Sequence, residues 1–385
     1  MKILWVNSAT TDSFSHTELI EIPPVFQRKG DEIRVLVAGR AAGQLPDYYV
    51  ALPMLFGSFK AYRLIVTLIL PWLCLKYRPD VILTDWISAS LTRLIVLARS
   101  LGLFGGKLIH DVRTVPVKED GGKSRAYYAK ALSYARRHFD GITTITGPLR
   151  DEICSEFGLS PDHIAVWASG VDVAHFHPLE NQDLRRELGL ENKFVVFYHG
   201  AVNENRGVIE LAEAIQYLGD LPDLRLLIVG AGNQWDKLEA AVAEKQLDKV
   251  ILKPSVPYSQ IPNWIALADL CVVPLPDHPW WRVSSPLKLM EYLAMGKPVL
   301  LTEMRAHRAI IPGDDNAFYV SEARPEVFAE GIRRALGRRD RFAGMGEWGR
   351  GKAKADLTWE KQAGILRDYM ISVLEGKVLL KGAPE

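Results

Sequence analysis

The feature that most constrains this chain is the alternation of short, continuous apolar runs with longer amphipathic stretches. Runs that lack a polar residue at every second position are typical of strands buried on both faces, as in a parallel sheet. The stretches between them repeat their apolar residues with the period of helices that cover such a sheet. Because the chain contains this series twice, the sequence predicts two doubly wound α/β domains.

Six strands are predicted in each half of the chain. In the first half they cover 3–7, 33–38, 81–85, 107–111, 141–146 and 164–168, and in the second 194–199, 225–229, 250–253, 270–274, 298–302 and 317–320. Helices are predicted over 61–76, 88–100, 124–138, 148–157, 208–218, 234–245, 258–267, 286–295, 324–336 and 358–374. No helix is predicted in the glycine- and charge-rich stretch 337–351.

The length of 385 residues is sufficient for two domains that each bury a core. Pro178 ends the first series, and a polar run separates it from the strand at 194–199. The predicted organisation is therefore a first domain over 1–178, a linker over 179–192, a second domain over 193–355, and a C-terminal helix with its tail over 356–385.

Composition argues against several classes of protein. Lys and Arg total 47 and Asp and Glu 46, so the net charge of +1 gives no general attraction for nucleic acid. The three cysteines form no C-x-x-C pair, which argues against a disulfide scaffold and favours a reducing, cytoplasmic compartment. The longest apolar stretch, 64–75, is shorter than the roughly 20 residues that span a bilayer. The wider segment 52–75 is either a buried helix and loop or a membrane-facing, lipid-acceptor surface at the inner face of the plasma membrane.

The most informative stretch is a predicted helix that follows the strand at 270–274. Ser284 or Ser285 is a suitable N-cap, Pro286 suits the first turn, and Gly296 suits the position after the helix. The N–H groups and dipole at the start of such a helix favour an anion such as a diphosphate. Glu291 falls about two turns in, where it either contacts a ligand or faces solvent.

Residues 285–299 resemble the donor-binding helix of retaining glycosyltransferases with two Rossmann-like domains, the GT-B architecture, and of glycosyltransferase family 4 in particular. Three further blocks, at 169–178, 200–207 and 267–274, resemble other signatures of that family in the same order. The resemblance implies a GT-B fold whose two domains face each other across a cleft, with the C-terminal helix crossing back to the N-terminal domain. It also implies retaining transfer of a sugar from a UDP- or GDP-linked donor, with acceptor binding in the first domain and donor binding in the second.

The resemblance assigns roles to particular side chains. It implies that Glu291 holds the ribose diol of the nucleotide, that His110 faces the donor sugar, and that Arg206 and Lys288 neutralise the diphosphate. We therefore take His110, Arg206 and Lys288 as catalytic candidates. The donor-binding candidates are Gly200, Arg282, Ser284, Ser285, Leu287 and Glu291. The acceptor-side candidates are Asp85, Trp86, Asp111 and Arg113. By pattern alone, a structural His110, a structural turn at Asp85, and solvated Arg206 and Lys288 remain open.

The chain departs from the family pattern at two positions. The family has an acidic residue where this chain has Val283, and an arginine where it has Ala201. The first departure removes the usual contact with the donor sugar, and the second removes one of two cations expected at the diphosphate. The loop containing Trp281 and Arg282 either replaces the lost sugar contact or packs beneath the helix.

No metal and no cofactor is expected, because the sequence has no Asp-x-Asp motif and no His/Cys/Asp cluster with metal-ligand spacing. The expected partners are a nucleotide-sugar donor and a sugar, lipid-linked or small-molecule acceptor, with no nucleic acid. Two other classes stay open: another GT-B enzyme, such as a sugar phosphorylase or a nucleotide-sugar epimerase, and a degenerate protein that binds nucleotide-sugar without turnover.

Overall fold

The computed structural model describes residues 1–10, 17–39, 45–116, 120–378 and 380. The chain forms two compact units. Unit 1 comprises Met1–Ala168 and Trp359–Glu385, and unit 2 comprises Ser169–Thr358. The C-terminal helix therefore belongs to the unit that contains the N-terminus, as the family resemblance implies.

Unit 1 is built on a parallel sheet with helices along the connections. Its strands are β1 (Lys2–Thr10), β2 (Glu32–Ala38), β3 (Tyr49–Leu52), β4 (Val81–Thr84), β5 (Lys107–Val112), β6 (Gly141–Thr144) and β7 (Ile164–Val166). Its helices are α1 (Glu18–Arg28), α2 (Phe59–Tyr77), α3 (Arg93–Ser100), α4 (Lys123–His138), α5 (Gly147–Phe157) and the last helix of the chain, α14 (Trp359–Leu374). The strand order is β3-β2-β1-β4-β5-β6-β7, and every neighbouring pair is parallel.

Unit 2 repeats this architecture. Its strands are β8 (Phe194–Ala201), β9 (Leu224–Ala231), β10 (Val250–Pro254), β11 (Leu270–Val273), β12 (Val299–Thr302) and β13 (Phe318–Val320). Its helices are α6 (Gln182–Glu187), α7 (Val208–Glu213), α8 (Trp235–Glu244), α9 (Ile261–Ala266), α10 (Leu287–Ala294), α11 (Arg305–Ile310), α12 (Pro325–Leu336) and α13 (Phe342–Asp356). The order β10-β9-β8-β11-β12-β13 is again parallel throughout.

Burial on both faces explains the continuous apolar strands. In β8, Val195 and Phe197 pack into one hydrophobic core, while Val196 and Tyr198 pack into another on the opposite face of the sheet. Successive side chains of a strand point to opposite faces, so a strand covered on both sides needs apolar residues at every position.

All twelve predicted strands are present with small shifts at their ends, and β3 was not predicted. Helix α13 occupies part of the stretch 337–351, for which no helix was predicted. Its glycines are needed there because they allow α13 to approach α10 closely. A Cβ on Gly346 would lie 2.3 Å from the carbonyl oxygen of Gly296, and one on Gly349 would lie 2.9 Å from Leu293. Residues 169–178, placed in the first domain from sequence, lie in unit 2, and the predicted linker contains α6.

Candidate functional site

Each sheet has a topological switch point, where two neighbouring strands are followed in the chain by strands on opposite sides of the pair. In unit 2 this point lies between β8 and β11, which are neighbours although their following strands lie on opposite sides. Open parallel sheets bind ligands at the carboxyl ends of the strands at such a switch point. Ligand-binding side chains are therefore expected after β8, after β11 and at the start of α10.

The predicted serine cap of α10 is wrong. The N-cap residue is Pro286, in an extended conformation, and no side chain caps the helix. The Ser284 hydroxyl donates instead to the Trp281 carbonyl (3.0 Å), and the Ser285 hydroxyl accepts from the Ser169 amide (3.2 Å). The two serines hold the loop before the helix, and Leu287, its first residue, is half-buried.

Lys288 carries a buried amine in the first turn of α10. The side chain is 8% exposed, and its Nζ donates to the Tyr198 hydroxyl at 3.3 Å. Burial, with a further contribution from the positive charge of Arg206, lowers the pKa of Lys288 to about 7. Among the described residues, no carboxylate forms an ion pair with this amine. A bound anion would supply the missing negative charge.

Glycine next to this amine leaves room for a ligand. Gly200, at the end of β8, has φ 118°, and a Cβ there would lie 3.3 Å from the Nζ of Lys288. A side chain at this position would be strained and would crowd the amine.

The loop after β8 carries Arg206. Gly207, with φ 69°, ends this loop, and a Cβ there would lie 1.9 Å from the Pro274 carbonyl oxygen after β11. The Arg206 guanidinium stacks on the Trp281 ring at 4.6 Å, and Trp281 in turn donates to the Asn205 carbonyl (2.6 Å). Trp281 thus holds the Arg206 guanidinium in position. The planar guanidinium can donate two hydrogen bonds to phosphate oxygens.

Glu291 lies one turn after Lys288, on the same side of α10. Its Oε2 is 3.0 Å from the Nε2 of His199, and both side chains are almost fully buried. Although the two atoms are this close, the His199 ring nitrogen is not aligned for a hydrogen bond to the carboxylate. His199 was missed from sequence, although it is the polar residue directly before Gly200 at the end of a buried strand.

Two other donor-side positions are placed differently. Arg282 is exposed, and its guanidinium forms a two-point contact with Asp277 at 2.6 and 2.9 Å, which lowers the pKa of that carboxyl. Its charge is therefore balanced on the surface. Val283 is buried, so apolar packing occupies the position at which the family has an acid.

The switch point of unit 1 lies between β1 and β4. Here the Asp85 carboxylate accepts hydrogen bonds from the Ser8 hydroxyl (2.6 Å), the Ser8 amide (3.2 Å) and the Ser88 amide (2.6 Å). Trp86 packs against the rings of Tyr127 and Tyr128. Asp85 joins the ends of the two strands, which fits the structural turn left open from sequence.

His110 does not end its strand, because β5 continues to Val112. Its side chain is 0% exposed, packs edge-on against Phe139, and lies 3.5 Å from the Thr84 hydroxyl. Burial lowers the pKa of His110 to about 3. The structure thus places His110 in buried surroundings within unit 1, and its contact with a donor sugar stays a prediction.

Asp111 and Arg113 are also enclosed within unit 1. Asp111 accepts from the Thr143 hydroxyl (2.7 Å) and the Trp167 indole (3.0 Å), and burial raises its pKa to about 6. The Arg113 guanidinium stacks on the Trp167 ring at 3.6 Å and donates to the Trp167 carbonyl. These contacts tie the ends of β5, β6 and β7 together.

The described part of the chain contains neither a metal cluster nor a helix able to cross a membrane. Within 1–10, 17–39, 45–116, 120–378 and 380, no group of three or more His, Cys, Asp or Glu residues is arranged to hold a metal ion. Over the same residues, no helix has both the length and the hydrophobicity needed to cross a membrane.

Comparison with known families gives two matches that together cover most of the chain. Residues 193–338 match the family described as "Glycosyl transferases group 1", and residues 24–175 match the one described as "Glycosyltransferase Family 4". The first match contains Gly200, Arg206, Lys288 and Glu291.

Curated relatives align over part of their length. Spore coat protein SA of Bacillus subtilis is 23% identical over 61% of this chain and 64% of that protein. The D-inositol 3-phosphate glycosyltransferase of Segniliparus rotundus is 28% identical over 57% of this chain and 49% of that protein. The chain thus aligns with less than two thirds of the length of either relative.

Solved structures match over nearly the whole chain. Sucrose-phosphate synthase from Thermosynechococcus elongatus has a TM-score of 0.76 at 15% identity, covering 98% of this chain and 100% of that one. Alr3699/HepE of Anabaena, solved in complex with UDP-glucose, has a TM-score of 0.74 at 17% identity, covering 97% and 100%. At these identities the likeness shows the fold, which is the predicted GT-B fold.

Proposed function

Because the chain belongs to the group 1 glycosyl transferases of glycosyltransferase family 4, we propose that it transfers a sugar from a nucleotide diphosphate-sugar to an acceptor. The observation that carries this proposal is the buried amine of Lys288, which has no carboxylate partner among the described residues and lies beside Gly200. A diphosphate supplies the negative charge that this position lacks.

The diphosphate would bind at the switch point of unit 2. The Lys288 amine and the Arg206 guanidinium donate to its oxygens, and the dipole of α10 adds a favourable field. A hydrogen bond to a charged group contributes about 1.5–3 kcal/mol, so the two cations together dominate the affinity for the nucleotide. The complexes of Alr3699/HepE with UDP and UDP-glucose support uracil as the first base to test.

The ribose would lie one turn further along α10. The Glu291 carboxylate can accept hydrogen bonds from both ribose hydroxyls, which the amide of glutamine cannot match. His199 packs against that carboxylate, with its Nε2 atom 3.0 Å away. Lys288 and Glu291 are three residues apart on one helix, so the phosphate and ribose contacts are set by a single rigid element.

We propose that the transfer proceeds with retention of anomeric configuration. The bond from the anomeric carbon to the diphosphate breaks while the acceptor oxygen attacks from the same face. The acceptor proton passes to the departing phosphate oxygen, and Lys288 and Arg206 stabilise the charge that develops there. This scheme needs no carboxylate pair of the glycosidase kind, and it is consistent with the buried Val283.

The name of one relative, a spore coat protein, supports an acceptor on a cell-surface glycan or glycoconjugate. We propose that neither a metal nor a cofactor takes part, because side-chain cations occupy the place where a metal would neutralise the diphosphate.

A second candidate function is binding of nucleotide-sugar without turnover. Val283 and Ala201, which replace an acid and an arginine of the family pattern, favour it. Both functions predict nucleotide binding, and they differ in whether the anomeric bond is broken.

The experiment has two stages. Thermal unfolding is first measured with UDP, GDP, ADP and their sugar conjugates, where a ligand at 100 times its dissociation constant adds about 2.7 kcal/mol of stability. Release of the nucleoside diphosphate from the best conjugate is then followed with and without EDTA, with Lys288→Met as the control variant. Release that persists in EDTA and disappears in the variant supports the proposal. Stabilisation without release supports the binding function, and strict dependence on inorganic phosphate would indicate a phosphorylase.

A further inference from the structure

Helix α2 of unit 1 is apolar on the side that faces solvent. Leu64, Leu68, Trp72 and Leu75 are 61%, 64%, 53% and 73% exposed, and their spacing of four, four and three residues places them on one side of the helix. We call these four residues the outer face of α2. A surface helix normally presents polar residues there, so an apolar outer face indicates a partner.

The opposite side of α2 is already used. Its buried residues pack against the strands of unit 1, and they are Tyr62, Val66, Leu70, Leu73 and Cys74. The helix is therefore apolar on two sides, and the described residues cover only one of them.

The turn before α2 extends the apolar surface. Phe56 is fully exposed, at 103%, and has a left-handed backbone with φ 55°. Leu55 and Phe59 on either side of the turn are about half exposed. A phenylalanine held outward at a loop tip is an unfavourable arrangement in water and a favourable one for insertion into an apolar medium.

The charge around this surface identifies the partner. Helix α2 contains Lys60, Arg63 and Lys76 but no Asp or Glu, whereas the whole chain has nearly equal numbers of basic and acidic residues. Lys60 and Lys76 are exposed on the two flanks of the outer face, and the Lys76 amine lies 5.1 Å from the centre of the Trp72 ring. An apolar stripe between lysines is complementary to a surface with anionic groups above hydrocarbon, which is the boundary of a phospholipid bilayer.

We propose that the outer face of α2 and the Phe56 turn bind the surface of an anionic phospholipid membrane. The helix lies on the bilayer and does not span it, because its other side is packed on the sheet. The apolar side chains enter the acyl boundary while Lys60 and Lys76 reach the phosphates. This inference concerns unit 1 and is independent of the function proposed for unit 2.

The test uses the full chain in vesicle flotation. Vesicles of phosphatidylcholine with an equal part of phosphatidylglycerol are compared with vesicles of phosphatidylcholine alone. The protein is expected to bind the anionic vesicles at least tenfold more strongly and to lose this preference in high salt. Leu68→Ser with Trp72→Ser, and separately Lys60→Glu with Lys76→Glu, should each weaken binding about tenfold or more.

Matched controls separate this surface from general effects. Ile20→Ser removes an exposed apolar residue elsewhere in unit 1, and Lys237→Glu reverses an exposed charge in unit 2. Both should bind vesicles like the wild type, and all variants should keep the wild-type melting temperature within a few degrees because the changed side chains are exposed. The proposal is overturned if wild type does not float, or if the α2 variants float as well as the controls. It is also overturned if the wild type forms a dimer that Leu68→Ser with Trp72→Ser dissociates while vesicle binding stays unchanged.

Discussion

The two sheets have the same strand order, yet their switch points are chemically different. In unit 1, the Asp85 carboxylate joins the two strand ends by accepting hydrogen bonds from Ser8 and Ser88. In unit 2, β8 is the counterpart of β1 and carries Gly200 near its end, where a Cβ would lie 3.3 Å from the buried amine of Lys288. At one switch point a carboxylate is satisfied by hydrogen bonds within the chain, and at the other a buried amine has no anionic partner among the described residues.

Topology alone therefore does not identify a binding site. The same parallel order gives both units a switch point, and the residues at its strand ends decide whether a ligand binds there. Unit 2 combines a glycine, a desolvated lysine and a carboxylate one turn away, which is the combination expected for a nucleotide diphosphate.

The largest expected effect comes from removing the cation. Lys288→Met keeps the length of the side chain and its packing but removes the charge, so UDP binding should weaken about 150-fold, the upper end for a charge-assisted hydrogen bond. Uridine, which has no phosphate, should bind the variant as well as the wild type. Calorimetric titration of both ligands measures the difference, and equal losses for both would show that Lys288 does not contact the diphosphate.

The next effect concerns the ribose. Glu291→Ala should weaken UDP binding about 30-fold and Glu291→Gln less, because the amide retains one acceptor. Wild type should discriminate strongly between UDP and 2′,3′-dideoxy-UDP, and Glu291→Ala hardly at all. His199→Phe should give an intermediate result, since it keeps the ring contact with Tyr292 and removes the polar partner of the carboxylate. If wild type and Glu291→Ala discriminate equally, the carboxylate does not hold the ribose.

A smaller effect is a dependence of affinity on pH. The pKa of Lys288 is lowered to about 7 in the free protein, and a bound diphosphate raises it again. Above pH 7 the amine must therefore take up a proton on binding, and affinity should fall about fivefold between pH 7 and 8. The other groups around the amine are Arg206, Glu291 and Tyr198, and burial holds the pKa of Tyr198 above its usual value. Titration in two buffers of different ionisation heat measures the proton uptake, which Lys288→Met should abolish.

The smallest effect on binding is expected in unit 1. Asp85→Asn loses the charge that accepts three hydrogen bonds, so the free energy of unfolding should fall by about 1 kcal/mol. UDP affinity should change less than twofold. Thermal unfolding and calorimetric titration of the same variant measure both quantities. A large loss of UDP affinity without a loss of stability would show that both switch points bind the nucleotide.

The sequence predicts the sheets well because parallel strands must be apolar at every position. It fails where the structure depends on contacts that a local sequence pattern does not show. β3 has only four residues at the edge of its sheet and is half exposed, so its pattern is weak. The glycines of α13 lower helix propensity, yet Gly346 and Gly349 are what allow that helix to contact α10.

The sequence also predicts part of the candidate site, namely the residues that one local pattern relates. Lys288 and Glu291 lie on one helix, so a local pattern is sufficient to relate them. His199 lies on β8 and meets Glu291 of α10 only in the folded chain, and Asp277 meets Arg282 within a loop. The sequence pattern predicts neither contact. His110 resembles a strand-end ligand, but the strand is longer than predicted and its side chain packs inward.

The return of α14 to unit 1 also sets an order for biosynthesis. The Tyr369 hydroxyl accepts from the Ile142 amide (2.9 Å) and donates to the His163 carbonyl (2.7 Å), and Arg367 pairs with the buried Asp31 at 2.6 Å. These partners are translated only after all of unit 2, whose residues 169–358 are contiguous. The sheet of unit 1 therefore lacks the cover of α14 until unit 2 has been synthesised and has left the ribosome. Synthesis of unit 1 thus begins before that of unit 2, but unit 1 can complete its fold only after unit 2 has been synthesised.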